Sequence, residues 1–327
     1  MKGKTWILFL IGGIVCALAA AYLFADYMRQ AADTERAMND LREIRDQARN
    51  ERLTQTPDDQ ETAQTDAPVE DQEMQSEAPV NVTPLPVATP TAEGTEAAAA
   101  EQTPEVELTT AQPTESPTPE PTLEPSPTPF VFREDLILAE YRELYEMNSD
   151  LIGWLTIEGT VIDYPVVQSI DPDYYLTHDF YGNKNSNGML IMDEHCDVYK
   201  PSPSILIHGH NMKNGKMFKD LLKYANESFG KEHLTIQFDT LVDKRQYQVV
   251  AAFYSKLYDE EKGEEGFRYY VNVQDLNSMA YFINGIRTER RYDTGVEFGA
   301  NDEYIVLSTC SYHVTDGRFV VVAKRVK

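Results

Sequence analysis

Near the C-terminus a cysteine and an arginine, Cys310 and Arg318, stand eight residues apart, with the turn signal Asp316-Gly317 between them. The run Ile305-Val306-Leu307-Ser308-Thr309 leads into the cysteine, and Phe319-Val320-Val321-Val322 leads away from the arginine. The spacing predicts an antiparallel hairpin with the two residues roughly opposite each other, about 5 Å apart at Cα. A guanidinium beside a thiol favours the thiolate and can also hold an oxyanion, which is the equipment of nucleophilic acyl transfer. The same spacing also fits a Cys310 that only ends a buried strand and an Arg318 exposed in a turn, and the pattern leaves both open. A thiol nucleophile needs an imidazole. The candidates are His178, His195, His208, His210, His233 and His313. His210 stands out because Ile205-Leu206-Ile207-His208-Gly209-His210-Asn211-Met212 runs from a buried-type strand into a polar loop, where a rigid base can present a side chain to a cleft. His208 shares its strand parity, so the pattern does not choose between them.

These residues need strands to hold them. Short β-rich runs separated by Gly, Asn, Asp and Pro predict strands near residues 153–157, 160–168, 189–193, 204–208, 234–238, 247–254, 303–309 and 318–324. Eight strands suggest a barrel or sandwich. Helical periodicity marks 134–148, 217–224 and 273 to about 290. No internal repeat and no phosphate-cradling glycine loop interrupts the pattern.

The rest of the chain is organised by composition. Residues 6–25 form an uncharged, mostly apolar run long enough to span a bilayer at about 1.5 Å per residue, and predict a single-pass anchor. Ala17-Leu18-Ala19 resembles a cleavage site, but the run exceeds the usual core of a signal peptide. Lys2 and Lys4 favour a cytoplasmic tail over residues 1–5, while Arg29, Arg36 and Arg42 follow the span closely. Residues 26–52 suggest a juxtamembrane helix, either self-associating or a solvated continuation of the span. Residues 53–132 contain no Lys or Arg, 16 Asp or Glu, 15 Thr and 14 of the 18 Pro, which predicts a disordered acidic stalk. Residues 133–327 remain as one folded domain.

The whole chain has 29 Lys and Arg against 54 Asp and Glu, a formal charge of −25 that argues against nucleic acid as a partner. Cys16 lies in the apolar span, leaving Cys196 and Cys310, too few for a disulfide framework. The run Asp193-Glu194-His195-Cys196-Asp197 lacks a second spaced pair of metal ligands, and Asp171-Pro172-Asp173 lacks the rest of a calcium ladder. No metal or other cofactor is expected. The acidic run 259–265 reads as a solvated loop.

From about Asp150 to the C-terminus the sequence resembles class B sortases, membrane-anchored cysteine transpeptidases of Gram-positive bacteria. The blocks that carry the resemblance are Gly153-Trp154-Leu155-Thr156-Ile157 with Thr160-Val161-Ile162-Asp163-Tyr164-Pro165-Val166-Val167-Gln168; Tyr174-Tyr175-Leu176 with Asp179-Phe180; Gly209-His210-Asn211-Met212-Lys213-Asn214-Gly215-Lys216-Met217-Phe218; and Leu307-Ser308-Thr309-Cys310 with Arg318. The resemblance implies a mainly β fold, an eight-stranded barrel with flanking helices. It implies Cys310 as nucleophile, His210 as acid and base, Arg318 as the third catalytic residue, and Ser308 as part of the substrate groove. Tyr is the family's expected residue at 208, so His208 is a departure. The implied activity is cleavage of a C-terminal sorting signal after Thr, of an Asn-Pro-x-Thr type, through a thioacyl intermediate. The surface protein would then pass to an amine of a peptidoglycan precursor or of a pilin. The implied location is the cell membrane, with the catalytic domain outside. A pilin polymerase, a thiol protease or hydrolase, and a non-catalytic stalked binding module are the competing readings.

Overall fold

The computed structural model of the protein describes residues 5–54, 132–200, 202–258, 263–269 and 276–327. Nearly all of the acidic segment 53–132, and part of the acidic run 259–265, lie outside these residues. Among the described residues eight strands close a barrel: β1 Leu151–Thr156, β2 Asp163–Val167, β3 Leu190–Met192, β4 Ser204–Gly209, β5 Thr235–Thr240, β6 Lys244–Lys256, β7 Tyr304–Cys310 and β8 Gly317–Arg325. The order around the barrel is β1-β2-β3-β4-β7-β8-β6-β5. The β2–β3 and β4–β7 pairs are parallel, and the others, including the closing β1–β5 pair, are antiparallel. All eight predicted strands are present, and the predicted hairpin is β7–β8.

Side-chain alternation splits the packing of the central strands into two apolar clusters. Ile205, Ile207, Ile305, Leu307, Phe319, Val321 and Ala323 belong to the larger one. Leu206, Tyr304, Val306, Val320 and Val322 belong to the smaller, where they meet Met279, Phe282, Ile283 and Ile286 of helix α4, Leu276–Glu289. Burial on both faces explains why β4, β7 and β8 read as continuous apolar runs rather than alternating ones. Of the helix expected from residue 273, residues 273–275 lie outside the described set.

Two predicted helices take other forms. The segment expected as one helix over 134–148 is a 3₁₀ turn, Glu134–Leu136, followed by α2, Ala139–Met147. Between them Ile137 and Leu138 are extended, and the Leu138 N–H donates to the Leu241 carbonyl at 2.7 Å, a tertiary bond that replaces the helical one. Residues Phe218–Ala225 form a 3₁₀ helix, followed by the short helix α3, Glu227–Glu232, which Asn226 caps through its side-chain oxygen.

The N-terminal helix α1 runs without a break over Thr5–Thr54. Its first part is a candidate membrane anchor, with Leu10, Ile14, Leu18 and Phe24 all exposed. Its second part is not solvated all round. Thr34, Met38, Leu41 and Arg45, spaced as one helical stripe, are buried against the domain.

Candidate active site

At the end of the barrel three neighbouring strands bring together residues distant in sequence. The β7–β8 register sets Cys310 opposite Arg318. The parallel β4–β7 register sets His208 opposite Ser308 and Gly209 opposite Thr309, so the next step brings His210 beside Cys310. Parity places Ser308 and Cys310 on the face of Tyr304 and Val306, Arg318 on that of Val320 and Val322, and His208 on that of Leu206. All four therefore share the face that α4 covers further along the barrel.

They line a cleft of about 370 Å³. Leu176, Met189, Ile191 and Met192 supply its apolar wall, while His208, His210, Ser308, Cys310, Arg318, Asp193 and Glu194 contribute polar groups. His210, Ser308, Cys310 and Arg318 all border this one space with His208, whereas the other candidate histidines, His178, His195, His233 and His313, do not line it.

Each is held by identifiable contacts. The loop after His210 folds back through an Asn211–Met217 bridge, and the Phe218 N–H donates to the His210 carbonyl at 2.9 Å. Met217 closes that loop with φ +54° and ψ −130°, a strained conformation for a residue with a Cβ, stabilised by complete burial of its side chain. Gly209 has no room for a side chain, since a Cβ there would stand 2.6 Å from both Leu190 and Phe218. The His210 Nε2 lies 3.0 Å from the Leu176 carbonyl, an acceptor only, so Nε2 carries a proton and Nδ1 is the nitrogen left for proton exchange. Asn211 donates through Nδ2 to the Cys310 carbonyl at 2.9 Å, and the Thr309 hydroxyl donates to the Gly209 carbonyl at 2.6 Å. These bonds tie the strand that ends in Cys310 to the segment that carries His210.

Arg318 is oriented by its own turn, donating through Nη1 to the carbonyls of Asp316 at 3.3 Å and Gly317 at 3.1 Å. These acceptors are neutral carbonyls, and among the described residues no carboxylate pairs with the guanidinium. Asp316 adopts a left-handed conformation at φ +54°, which Asp tolerates, and a Cβ on Gly317 would stand 2.4 Å from the Ser311 carbonyl oxygen. The Asp-Gly pair is thus required by the hairpin that aligns Cys310 with Arg318.

Ser308 is fully buried and its hydroxyl lies 2.9 Å from that of Tyr269, itself buried. Tyr269 and Asn211 support the site, and the sequence alone did not single them out for roles. Asn211 stood inside a recognised block, whereas Tyr269 lies in an irregular segment with no local signal. His208 bonds Asp193, with Nε2 3.4 Å from Oδ2. That bond outweighs burial and, with the His195 N–H, holds the Asp193 carboxyl down at about 2. Among the described residues no three His, Cys, Asp or Glu side chains converge as a metal site. Cys196 of the acidic run accepts the Leu206 N–H at 3.2 Å instead, and burial pushes its thiol up to about 11.

A closed eight-stranded barrel thus carries a thiol, an imidazole and a guanidinium in one cleft at one end. The sortase domain model matches residues 155–326. Sortase B of Listeria monocytogenes is 32% identical over 189 residues, covering 57% of this chain and 74% of that protein. Sortase B of Staphylococcus aureus is 28% identical over 198 residues, covering 59% and 78%. Among solved structures, the Staphylococcus aureus sortase B–substrate complex aligns with a TM-score of 0.53 at 27% identity, covering 58% of this chain and 86% of that one. Sortase B from Bacillus anthracis in complex with AAEK1 aligns with a TM-score of 0.51 at 30% identity, covering 58% and 86%. The chain belongs to the sortase family, within its class B branch, and is therefore a cysteine transpeptidase by family.

Proposed function

We propose that Cys310, His210 and Arg318 are the catalytic residues of a transpeptidase that joins surface proteins to a cell-wall amine. The observation that carries this reading is the shared cleft, in which the strand registers set Cys310 between His210 on one side and Arg318 on the other. The Cys310 thiolate attacks the Thr carbonyl of a sorting signal, and the C–N bond breaks as sulfur forms a thioester with the acyl part. His210, as imidazolium, gives the Nδ1 proton to the departing amine. It then takes a proton through Nδ1 from the incoming amine as that amine displaces sulfur. Arg318 binds the carbonyl oxygen as it gains charge, and its planar fork suits that role better than a lysine would. The buried Ser308 shapes the groove wall through its bond to Tyr269.

The acyl donor is a surface protein bearing an Asn-Pro-x-Thr type signal, and the acceptor is an amine of a peptidoglycan precursor. Residues 6–25 hold the enzyme in the cell membrane, residues 1–5 remain in the cytoplasm, and the domain 133–327 works outside. Incubating the enzyme with a sorting-signal peptide, with and without an amine acceptor, tests the reaction type. The acceptor should divert most product from hydrolysis to transfer, and Arg318→Lys should slow both about 10²-fold or more, as expected for loss of an oxyanion donor. Fast hydrolysis without transfer would establish a thiol hydrolase instead.

A further inference from the structure

We infer that residues 30–52 of α1 form a wall of the catalytic domain itself, so that the enzyme stands directly on its membrane helix and the acidic segment 55–131 is a side excursion rather than a spacer. The receiving surface has three parts, and each is chemically matched to the helix.

Nearest the apolar span, Thr34 Oγ1 accepts from Asn185 Nδ2 at 2.8 Å and Asn187 Nδ2 at 2.9 Å, with all three residues buried. Gln30 Oε1 accepts from the Ser186 N–H at 3.0 Å and hydroxyl at 2.7 Å. Along the middle of the helix, Met38 and Leu41 join the main apolar cluster, 2% and 0% exposed. Arg45 lies over the Trp154 ring, 4.3 Å from its centroid, and pairs with Asp163 at 2.7 Å. The Trp154 indole N–H donates to the same carboxylate at 2.7 Å, and Arg42 adds two bonds to the Asp163 carbonyl. At the far end, Arg49 and Arg52 approach Glu140 of α2, which is 1% exposed and also pairs with Lys244 at 2.5 Å.

The Arg45–Asp163 pair is hydrogen-bonded as well as charged, which offsets the cost of burying it, whereas the Glu140 carboxylate is held by charge alone, with neither oxygen nor Arg49 Nε in a well-formed hydrogen bond. Burial works against the Arg45 charge, but the bonds to Asp46 and Asp163 outweigh it and raise its pKa above the ordinary value. Removing the helix would take both arginines, Arg42 and Arg45, from Asp163 and would leave buried Glu140 with Lys244 alone.

The two ends of the acidic segment give the second argument. The chain departs after Thr54, just beyond the Arg52–Glu140 contact, and returns at Phe132, whose ring packs on Tyr145 with centroids 5.8 Å apart. Glu140 and Tyr145 belong to the same nine-residue helix, α2. A spacer must have one end at the membrane and the other at the domain, whereas both ends of this segment lie on the domain. From Ala25 to Gln30 the helix rises only about 7.5 Å, so contact with the domain begins within two turns of the apolar run.

The test is to insert a site-specific protease sequence midway through the acidic segment of the full chain in detergent micelles, cut it, and separate by size exclusion. The helix fragment should co-elute with the domain after cutting, and the cut enzyme should keep its activity on soluble peptide. Separate elution of the uncomplexed fragments would overturn the inference. Leu41→Glu with Arg45→Glu should remain one chain until cut and then separate. The milder Thr34→Ala variant should release the helix fragment faster than the wild type if the double variant does not fold. Unchanged co-elution in both variants would show that the helix binds by some other face.

Discussion

Two described thiols of the domain face different fates, and their surroundings decide which. Cys196 accepts a backbone N–H from β4 and is pushed up to about 11, so near neutral pH it is almost wholly protonated and a poor nucleophile. Cys310 ends β7 at the cleft, opposite a guanidinium whose partners are neutral carbonyls. The choice between the histidines also rests on surroundings. His208 is engaged with a carboxylate, whereas His210 uses Nε2 on a fixed carbonyl and keeps Nδ1 for exchange. The residue types were legible from the sequence, but of the partners that orient them Leu176, in the 3₁₀ turn Tyr174–Leu176, stood in a resemblance block without an assigned role, and Tyr269 lies in an irregular segment with no periodic signal. Asp193 yields a pH prediction. Its carboxyl is near 2 when folded and near the ordinary 3.9 when unfolded, so its contribution is complete above about pH 4 and disappears as pH falls toward 2. After discounting for partial exposure this is on the order of 1 kcal/mol. Urea unfolding between pH 5 and 2 should show it, and Asp193→Asn should flatten the slope in that window. An unchanged slope would mean that the His208 bond contributes nothing to folding.

Among the elements, the β7–β8 hairpin has the largest consequence for the proposed chemistry, since its register sets Cys310 opposite Arg318. It was readable because apolar runs and an Asp-Gly turn specify register locally. The parallel β4–β7 pairing was less accessible, because its strands lie about 100 residues apart and only the resemblance joined His210 to Cys310. The expected helix over 134–148 failed at Leu138 for a related reason, a long-range bond to Leu241 that no local propensity contains. The hairpin argument gives a second prediction. Gly317→Ala forces a Cβ against the Ser311 carbonyl, so the variant should lose about 1–3 kcal/mol of stability. Where still folded, it should lose about 10²-fold in kcat/KM, because shifting Arg318 by about 1 Å misplaces the proposed oxyanion donor. Thermal unfolding and peptide kinetics measure the two effects separately, and normal kinetics with lowered stability would show that the turn only supports the fold.

Across the whole molecule, the charge of −25 is unevenly distributed. Residues 1–130 carry 8 basic and 23 acidic residues and residues 131–327 carry 21 and 31, a division of −15 and −10. Composition located this boundary, and the pattern over 26–52 predicted a helix, but with Met38 and Leu41 interrupted by charges it read as self-associating or solvated rather than as packed on the domain. The structure thus joins to the barrel a helix that composition had assigned to the membrane end. The catalytic reading depends on one atom, the Cys310 sulfur. Mass spectrometry of the full enzyme quenched during turnover of an Asn-Pro-x-Thr type peptide tests it most directly. The account predicts an acyl adduct, ending at the Thr carbonyl, on the peptide containing Cys310 and absent after Cys310→Ala. An adduct on Cys196, or peptide cleavage that persists in Cys310→Ala, would contradict it.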